Sequence, residues 1–342
     1  MERSVTISGE KREKITFLMS VLTVLAAFAA LLYAPAAAIN GAKQGIRVCA
    51  EVIVPSLLPF LVLSGLVTGL GLPRLLMKPL GPLFERLFAV SGAAAAPFLL
   101  GLTGGYPVGA AATAELVRRG ELEAGEGERL LGFCNNTGPA FILGAVGGGV
   151  FHSAALGLLL YLCHILAAVA VGLLGAVGRR KKPGTRPEPA EGEEQRASFA
   201  AVLPGSVRRA VASTANICGF VVFFAVLSSL LNALGLFSTA AGVLATRLGL
   251  ELRFVRALLL GLLELGNGVS ALQGLDALPR NLALAAFLLG FGGLSVQCQT
   301  LAAIEGTGMS PRRGFLGRLL HGAVSAGLAL LCAYVIIPLV FC

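Results

Sequence analysis

The sequence predicts an all-α polytopic membrane protein of inverted repeats, with two re-entrant hairpins and broken helices. Three observations predict it. Of 342 residues 56% are hydrophobic and 13% charged, with a mean hydropathy of +0.84, so the apolar surface far exceeds what one soluble core could bury. The second half of the chain repeats landmarks of the first in the same order. Glycine and proline interrupt the apolar pattern where hydropathy alone asks for continuous helix.

Apolar windows long enough to cross about 30 Å of hydrocarbon as helix occur at 15–39, 46–71, 130–150, 154–178, 206–236, 282–304 and 319–341. Lys11, Arg12 and Lys14 precede the first, which ends in APAAA (34–38). That is a signal-peptide pattern, but the run is long for one, which favours a retained transmembrane helix within 1–43. Cleavage would leave the remaining topology unchanged. With the N-terminus in the cytoplasm, only Lys43, Arg47, Arg247, Arg253, Arg256 and Arg280 of the 27 Lys and Arg fall outside, which satisfies the positive-inside rule. The net charge of +9 therefore reads as topology rather than nucleic-acid binding, for no aromatic-interleaved basic patch accompanies it.

GRRKKPGTRPEPAEGEEQR (178–196) is the one strongly polar stretch. It reads as a cytoplasmic linker, 179–203, between a first repeat at 44–178 and a second at 204–342. VIVPSLLPFLVLSGLVTGLGL (52–72) parallels ANICGFVVFFAVLSSLLNALGL (215–236), LLGL at 99–102 recurs at 259–262, LLGF at 130–133 recurs at 288–291, and His164 finds His321 at nearly the same offset. Three crossings per copy are an odd number, so the second copy enters from the opposite face, as in many secondary transporters.

Within the first copy, 91–119 is too short for two crossings of about 20 residues, yet Arg118 and Arg119 prefer the cytoplasm. A re-entrant hairpin with its tip at TGGYPVGA (103–110) meets both constraints: glycines allow the turn, Pro107 suits the first turn of the descending half-helix, and its free N–H groups offer partial positive charge to an anion. The plainer reading is that Gly104, Gly105 and Gly109 serve close packing. The counterpart LLELGNGVSALQGL (262–275) is also glycine-broken and holds Glu264 and Asn267 in apolar surroundings. Paired interrupted segments point to a transport site. EAGEGERL (123–130) reads as a surface segment opening the next helix.

The second polar centre is FCNNTGPAF (133–141), where Asn135, Asn136 and Thr137 precede Gly138-Pro139. A helix broken at that depth must face protein or a water-filled centre. Its counterpart FGGLSVQCQT (291–300) supplies Ser295, Gln297, Gln299 and Thr300; interhelical hydrogen bonding competes with substrate contact as their role. Glu264 is the foremost intramembrane charge, either an ion or proton partner or a cap near water. His164 and His321 read as hydrogen-bonding residues between helices.

No catalytic site is indicated. The chain has a single aspartate, Asp276, and no HExxH, GxSxG or Walker loop, so an enzyme is disfavoured. Cys49, Cys134, Cys163, Cys218, Cys298 and Cys332 fall in or beside apolar segments without CxxC spacing, and Cys342 ends the chain. They read as packing residues, with neither disulfide frame nor metal site, and no cofactor is called for.

At VPSLLPFLVLSGL (54–66), GLTGGYPVGAAATAEL (101–116), GERLLGFCNNTGPAFILG (127–144) and LGLLLYLCHILA (156–167) the chain resembles the YlbJ family, also called SpoVV, integral membrane proteins of spore formers within the wider nucleoside-recognition or Gate-domain set. The resemblance covers most of 44–342 and is strongest in the first half. It implies transport of dipicolinic acid from the mother cell across the outer forespore membrane. A more distant resemblance to the concentrative nucleoside carriers, whose sites lie between two hairpins and two broken helices, implies substrate contacts at Thr103, Gly104, Gly105, Tyr106 and Gly109, at Asn135, Asn136 and Thr137, and opposite them at Glu264, Asn267, Ser295 and Gln297. Two half-helix N-termini and neutral amides would then hold a flat dianion without buried Arg or Lys. The implied partners are a small anionic substrate and membrane lipid, not nucleic acid, with a coupling ion or proton and a homo-oligomer left open. A nucleoside or other metabolite carrier and a non-transporting sporulation scaffold are the competing readings.

Overall fold

The computed structural model describes residues 2–70, 72–179 and 198–341; residues 180–197 of the expected linker lie outside them. Every regular element among the described residues is helical. In chain order these are α1 (Glu2–Tyr33), α2 (Pro35–Val48), a π-helical turn Cys49–Ile53 running into α3 (Val54–Gly69), α4 (Leu72–Phe88), α5 (Ala95–Gly104), α6 (Val108–Arg118), α7 (Ala124–Cys134), a π-helical stretch Ala140–Val150, and α8 (Ala154–Ala176). The remainder are α9 (Phe199–Ala233), α10 (Leu236–Leu248), α11 (Leu252–Leu263), α12 (Leu265–Ser270), α13 (Leu278–Phe291), α14 (Gly293–Ile304) and α15 (Pro311–Phe341).

The expected crossings at 154–178 and 206–236 are the long helices α8 and α9, 282–304 falls within α13 and α14, and 319–341 lies in α15. Among the described residues four helices are long and apolar enough to span a membrane, or six if each of two bent pairs is one span, against seven expected. The first window does not run straight. Between 17–33 and 35–51 the chain bends by 99°, at Pro35, which brings no N–H to a helix hydrogen bond. The crossing at 46–71 opens on the π-helical turn and carries Pro59 inside α3. That at 130–150 unwinds after α7.

Both glycine-broken segments are hairpins. α5 packs against α6, and α11 against α12. Ahead of the first, the chain bends by 105° between 79–88 and 92–104. Two helices, a hairpin, an interrupted helix and a long helix thus follow one another from α3 to α8 and again from α9 to α15. The separate helices α4 and α10 that precede each hairpin were not foreseen.

Lipid tails are as apolar as leucine, so helix contacts in a membrane depend on close packing rather than on hydrophobic drive. α15 packs against α13, α7 and α8, and α9 against α2 and α3. At two crossings glycines bring backbones together: a Cβ added to Gly317 would lie 2.6 Å from the Gly132 Cα, and one added to Gly290 would lie 2.6 Å from the Gly322 Cα. The base of the first hairpin is anchored by aromatic packing, with the Phe98 ring centroid 5.5 Å from that of Phe84 and 5.9 Å from that of Phe133.

Candidate functional site

The first hairpin is built around the unwound chain that follows α7. Gly105, at φ +77°, reverses the chain between α5 and α6 in a region that side-chain-bearing residues avoid. A Cβ on either Gly101 or Gly109 would collide with the Cys134 carbonyl oxygen, and one on Gly105 would lie 2.8 Å from the Gly138 nitrogen. The two arms grip the end of α7, and the tip covers 135–138.

Three side chains of that unwound segment are buried, and each is tied to a different part of the molecule. Asn135 Nδ2 donates to Thr300 Oγ1 on α14 at 2.8 Å. Asn136 Nδ2 donates to the Phe133 carbonyl at 2.9 Å. Thr137 uses both its donors, Oγ1–H to the Leu289 carbonyl at 2.8 Å and N–H to His164 Nε2 at 3.1 Å. Tyr106 Oη, at the hairpin tip, donates to the same Leu289 carbonyl at 2.8 Å. One backbone oxygen near the end of α13 therefore joins the first hairpin to the first unwound segment.

The interruption between α13 and α14 lies between the two hairpins. Gly292 and Gly293 have φ of +86° and +74°. A Cβ on Gly292 would come within 3.1 Å of Tyr106 Cζ, whereas one on Gly293 would lie 2.7 Å from the Gly261 carbonyl and 3.3 Å from that of Leu263, at the end of α11. This is the meeting of broken elements that the sequence pointed to.

Behind Tyr106 lies a cluster the sequence reading missed. The Arg318 guanidinium sits 4.8 Å from the centroid of the Tyr106 ring and is only 2% exposed. Its Nη1 lies 2.9 Å from His321 Nδ1, so Nδ1 must accept, because an arginine has no lone pair to offer. His321 Nε2–H then donates to the His164 carbonyl at 3.0 Å, and the two imidazoles lie 4.4 Å apart. His164 accepts at Nε2, which leaves the proton of its neutral ring on Nδ1. Among the described residues no group partners that Nδ1, Arg318 Nε or Nη2, or the Oδ1 atoms of Asn135 and Asn136. The expectation of a centre without buried Arg or Lys is thereby corrected. The charge count places Arg318 among the cytoplasmic topology residues, but Arg318, His321 and Ser325 are all buried, and their 3–4 spacing puts them on the packed face of α15.

The other expected site residues divide into four groups. Gly104, Gly105, Tyr106 and Gly109 are buried with Asn135–Thr137. On α14, Gln297 Nε2 donates back to the Phe291 carbonyl at 2.9 Å, and Ser295 Oγ accepts from Gln299 Nε2 at 3.4 Å; Asn135 reaches α14 through Thr300 instead. Thr103 is exposed and bonds the Leu99 carbonyl of its own helix at 2.8 Å.

Glu264 and Asn267 lie on the far side, at a cavity of about 480 Å³ between the second hairpin, the stretch Ala140–Val150, α2 and α9. The Glu264 carboxylate caps α12, accepting from Gly266 N–H at 3.0 Å and Asn267 N–H at 2.7 Å. Gln44, Ser228, Ser229, Asn232, Arg256 and Ser270 complete the polar lining, and Arg256 Nη2 donates to Asn232 Oδ1 at 3.1 Å. None of these was a sequence candidate: Gln44, Ser228, Ser229 and Asn232 come from α2 and α9, outside the hairpins and broken helices, whereas Arg256 and Ser270 belong to the second hairpin itself. Among the described residues no cluster of three His, Cys, Asp or Glu could hold a metal ion.

The fold and the site define a multi-pass integral membrane protein in which two hairpins and two interrupted helices surround a buried polar centre. No family model matches the chain. It is 31% identical over 334 residues, 92% of its own length and 82% of the relative's, to the sporulation integral membrane protein YlbJ of Bacillus subtilis (strain 168). The chain belongs to the YlbJ family of sporulation membrane proteins. Among solved structures it is similar to a CNTnw double variant in an outward-facing state, with a TM-score of 0.48 and 14% identity over 92% of this chain and 86% of that one.

Proposed function

We propose that this protein is a membrane transporter moving a small planar anion by alternating access, dipicolinic acid being the cargo, carried from the mother cell across the outer forespore membrane. The observation that carries the reading is the position of the α13–α14 interruption between the two hairpins, with Gly292 beside Tyr106 and Gly293 beside the Gly261 carbonyl. Irregular backbone at membrane depth is costly unless it lines a pathway or is buried in protein, and paired broken segments are how secondary carriers build such pathways. A cavity of about 480 Å³ beside the second hairpin has the volume of an ordinary small-molecule site. Membership of a sporulation family supports the cargo, and the N-terminus then lies in the cytoplasm, with repeats at 44–178 and 204–342 joined by a cytoplasmic linker. The reading includes no catalytic step; homo-oligomer formation and an ion or proton coupled at Glu264 are compatible with it.

A second reading, a carrier of nucleosides or other neutral metabolites, is favoured by that cavity's lining, where the Glu264 carboxylate stands opposite in charge to Arg256 and the amides of Gln44, Asn232 and Asn267 offer both donors and acceptors to an uncharged ligand. Uptake of labelled dipicolinate and uridine into proteoliposomes separates the two. Dipicolinate uptake that Asn135→Ala abolishes without loss of expression supports the first reading, and uridine uptake alone supports the second. Background uptake of both would leave a scaffold whose polar centres hold helices together.

A further inference from the structure

We infer that Arg318 is a carboxylate receptor: its Nε–Nη2 edge, held beneath the Tyr106 ring of the first hairpin tip, takes one carboxylate of a planar ligand when that tip lifts. The inference deepens the transport reading and rests on it for the identity of the ligand. A buried guanidinium is strongly destabilising unless something compensates its charge. Arg318 is 2% exposed, no carboxylate among the described residues pairs with it, and its compensation consists of His321 Nδ1 at 2.9 Å and the Tyr106 ring face at 4.8 Å. Neither is an anion.

The pattern of used and unused donors is informative. Nη1 is engaged by His321, while Nε and Nη2 have no partner among the described residues. Those two are the adjacent parallel donors with which arginine grips a carboxylate side-on. The surrounding chemistry favours a flat ligand with further polar atoms: the imidazoles of His164 and His321 lie close together, and the His164 Nδ1 proton is a second unpartnered donor. Tyr106, which covers the guanidinium face, belongs to the hairpin tip and is held to α13 by its hydroxyl.

The test uses the full chain in lipid nanodiscs with pyridine-2,6-dicarboxylate, benzoate and uridine as probes. The dicarboxylate, and more weakly benzoate, should bind and raise the melting temperature. Arg318→Lys keeps the charge but loses the side-on edge, and should weaken dicarboxylate binding at least tenfold. Tyr106→Phe releases the tip from the Leu289 carbonyl and should bind at least as tightly as the parent. If Arg318→Lys fails to fold, phenylglyoxal modification of the unaltered protein decides the matter: peptide mass spectrometry should show Arg318 shielded by the dicarboxylate and not by uridine. Equal dicarboxylate affinity in folded Arg318→Lys, or equal modification with and without ligand, overturns the inference. Dicarboxylate uptake at the parental rate in Arg318→Lys overturns the receptor and keeps the transporter. Shielding of Arg318 without uptake does the reverse.

Discussion

The Leu289 carbonyl offers a sharp test of how the two halves are joined. Tyr106 Oη and Thr137 Oγ1 each donate to it at 2.8 Å, and a carbonyl oxygen has two lone pairs to accept with. Tyr106→Phe and Thr137→Val each delete one hydroxyl and nearly preserve shape, so either single change leaves the oxygen with one bond. Each should cost about 1 kcal/mol, the net value of a buried hydrogen bond in water-soluble and membrane proteins alike. Together they strip the oxygen of both donors in a site closed to solvent, and a buried polar group so orphaned costs a further 1–3 kcal/mol or so. The pair should therefore be more destabilising than the sum of the singles by about 1–2 kcal/mol. Unfolding of the four proteins in lipid–detergent micelles by increasing SDS mole fraction gives the cycle. Effects that add to within about 0.5 kcal/mol would refute the shared carbonyl as the joint.

Three further outcomes follow from the geometry. Because Glu264 holds the Gly266 and Asn267 amides at 3.0 and 2.7 Å, Glu264→Ala should destabilise α12 by about 1 kcal/mol and speed hydrogen exchange at both amides; Glu264→Gln should do less, and unchanged exchange in Glu264→Ala would argue against the cap. Gly290→Ala places a methyl 2.6 Å from the Gly322 Cα, whereas Gly219 has nothing within 4 Å, so the first should lower stability by about 1–3 kcal/mol and the second by less than about 0.5, measured by the same SDS titration. Cys163 and Cys332 bring their Sγ atoms to 3.9 Å across α8 and α15, so copper–phenanthroline should crosslink them in a product that mass spectrometry detects and Cys163→Ser abolishes; its absence in the parent would mean that the helices do not meet there.

Much of this architecture was legible because lipid leaves the backbone few choices. A long apolar run must close its own hydrogen bonds, so α8, α9 and α15 could be read from length and composition. A run broken by GGYP or by NNTGP cannot do so, and both breaks appear where those residues stand, as the first hairpin and the unwound 135–138. The offset matched His164 with His321 as counterparts in the two halves, but gave no sign that the two rings meet, 4.4 Å apart, beside Arg318. Arg318 escaped because a single basic residue in an apolar helix has the same hydropathy whichever way it faces. The spacing of Arg318, His321 and Ser325 was the available signal. The cavity escaped for another reason: Gln44 on α2, Ser228 and Asn232 on α9, and Glu264 in the second hairpin come from distant parts of the chain and share a wall only once those three elements are packed.

By itself the amino-acid sequence determined that the chain lives in a membrane, where its helices run and where they break, since each of these is settled by the local balance of hydration against backbone hydrogen bonding. Only the tertiary structure decided which polar groups meet. Tyr106 and Thr137 converge on Leu289, Arg318 turns inward under Tyr106, and Glu264 faces a separate cavity, because side-chain partnership depends on the rotation and approach of whole helices, which no local pattern encodes.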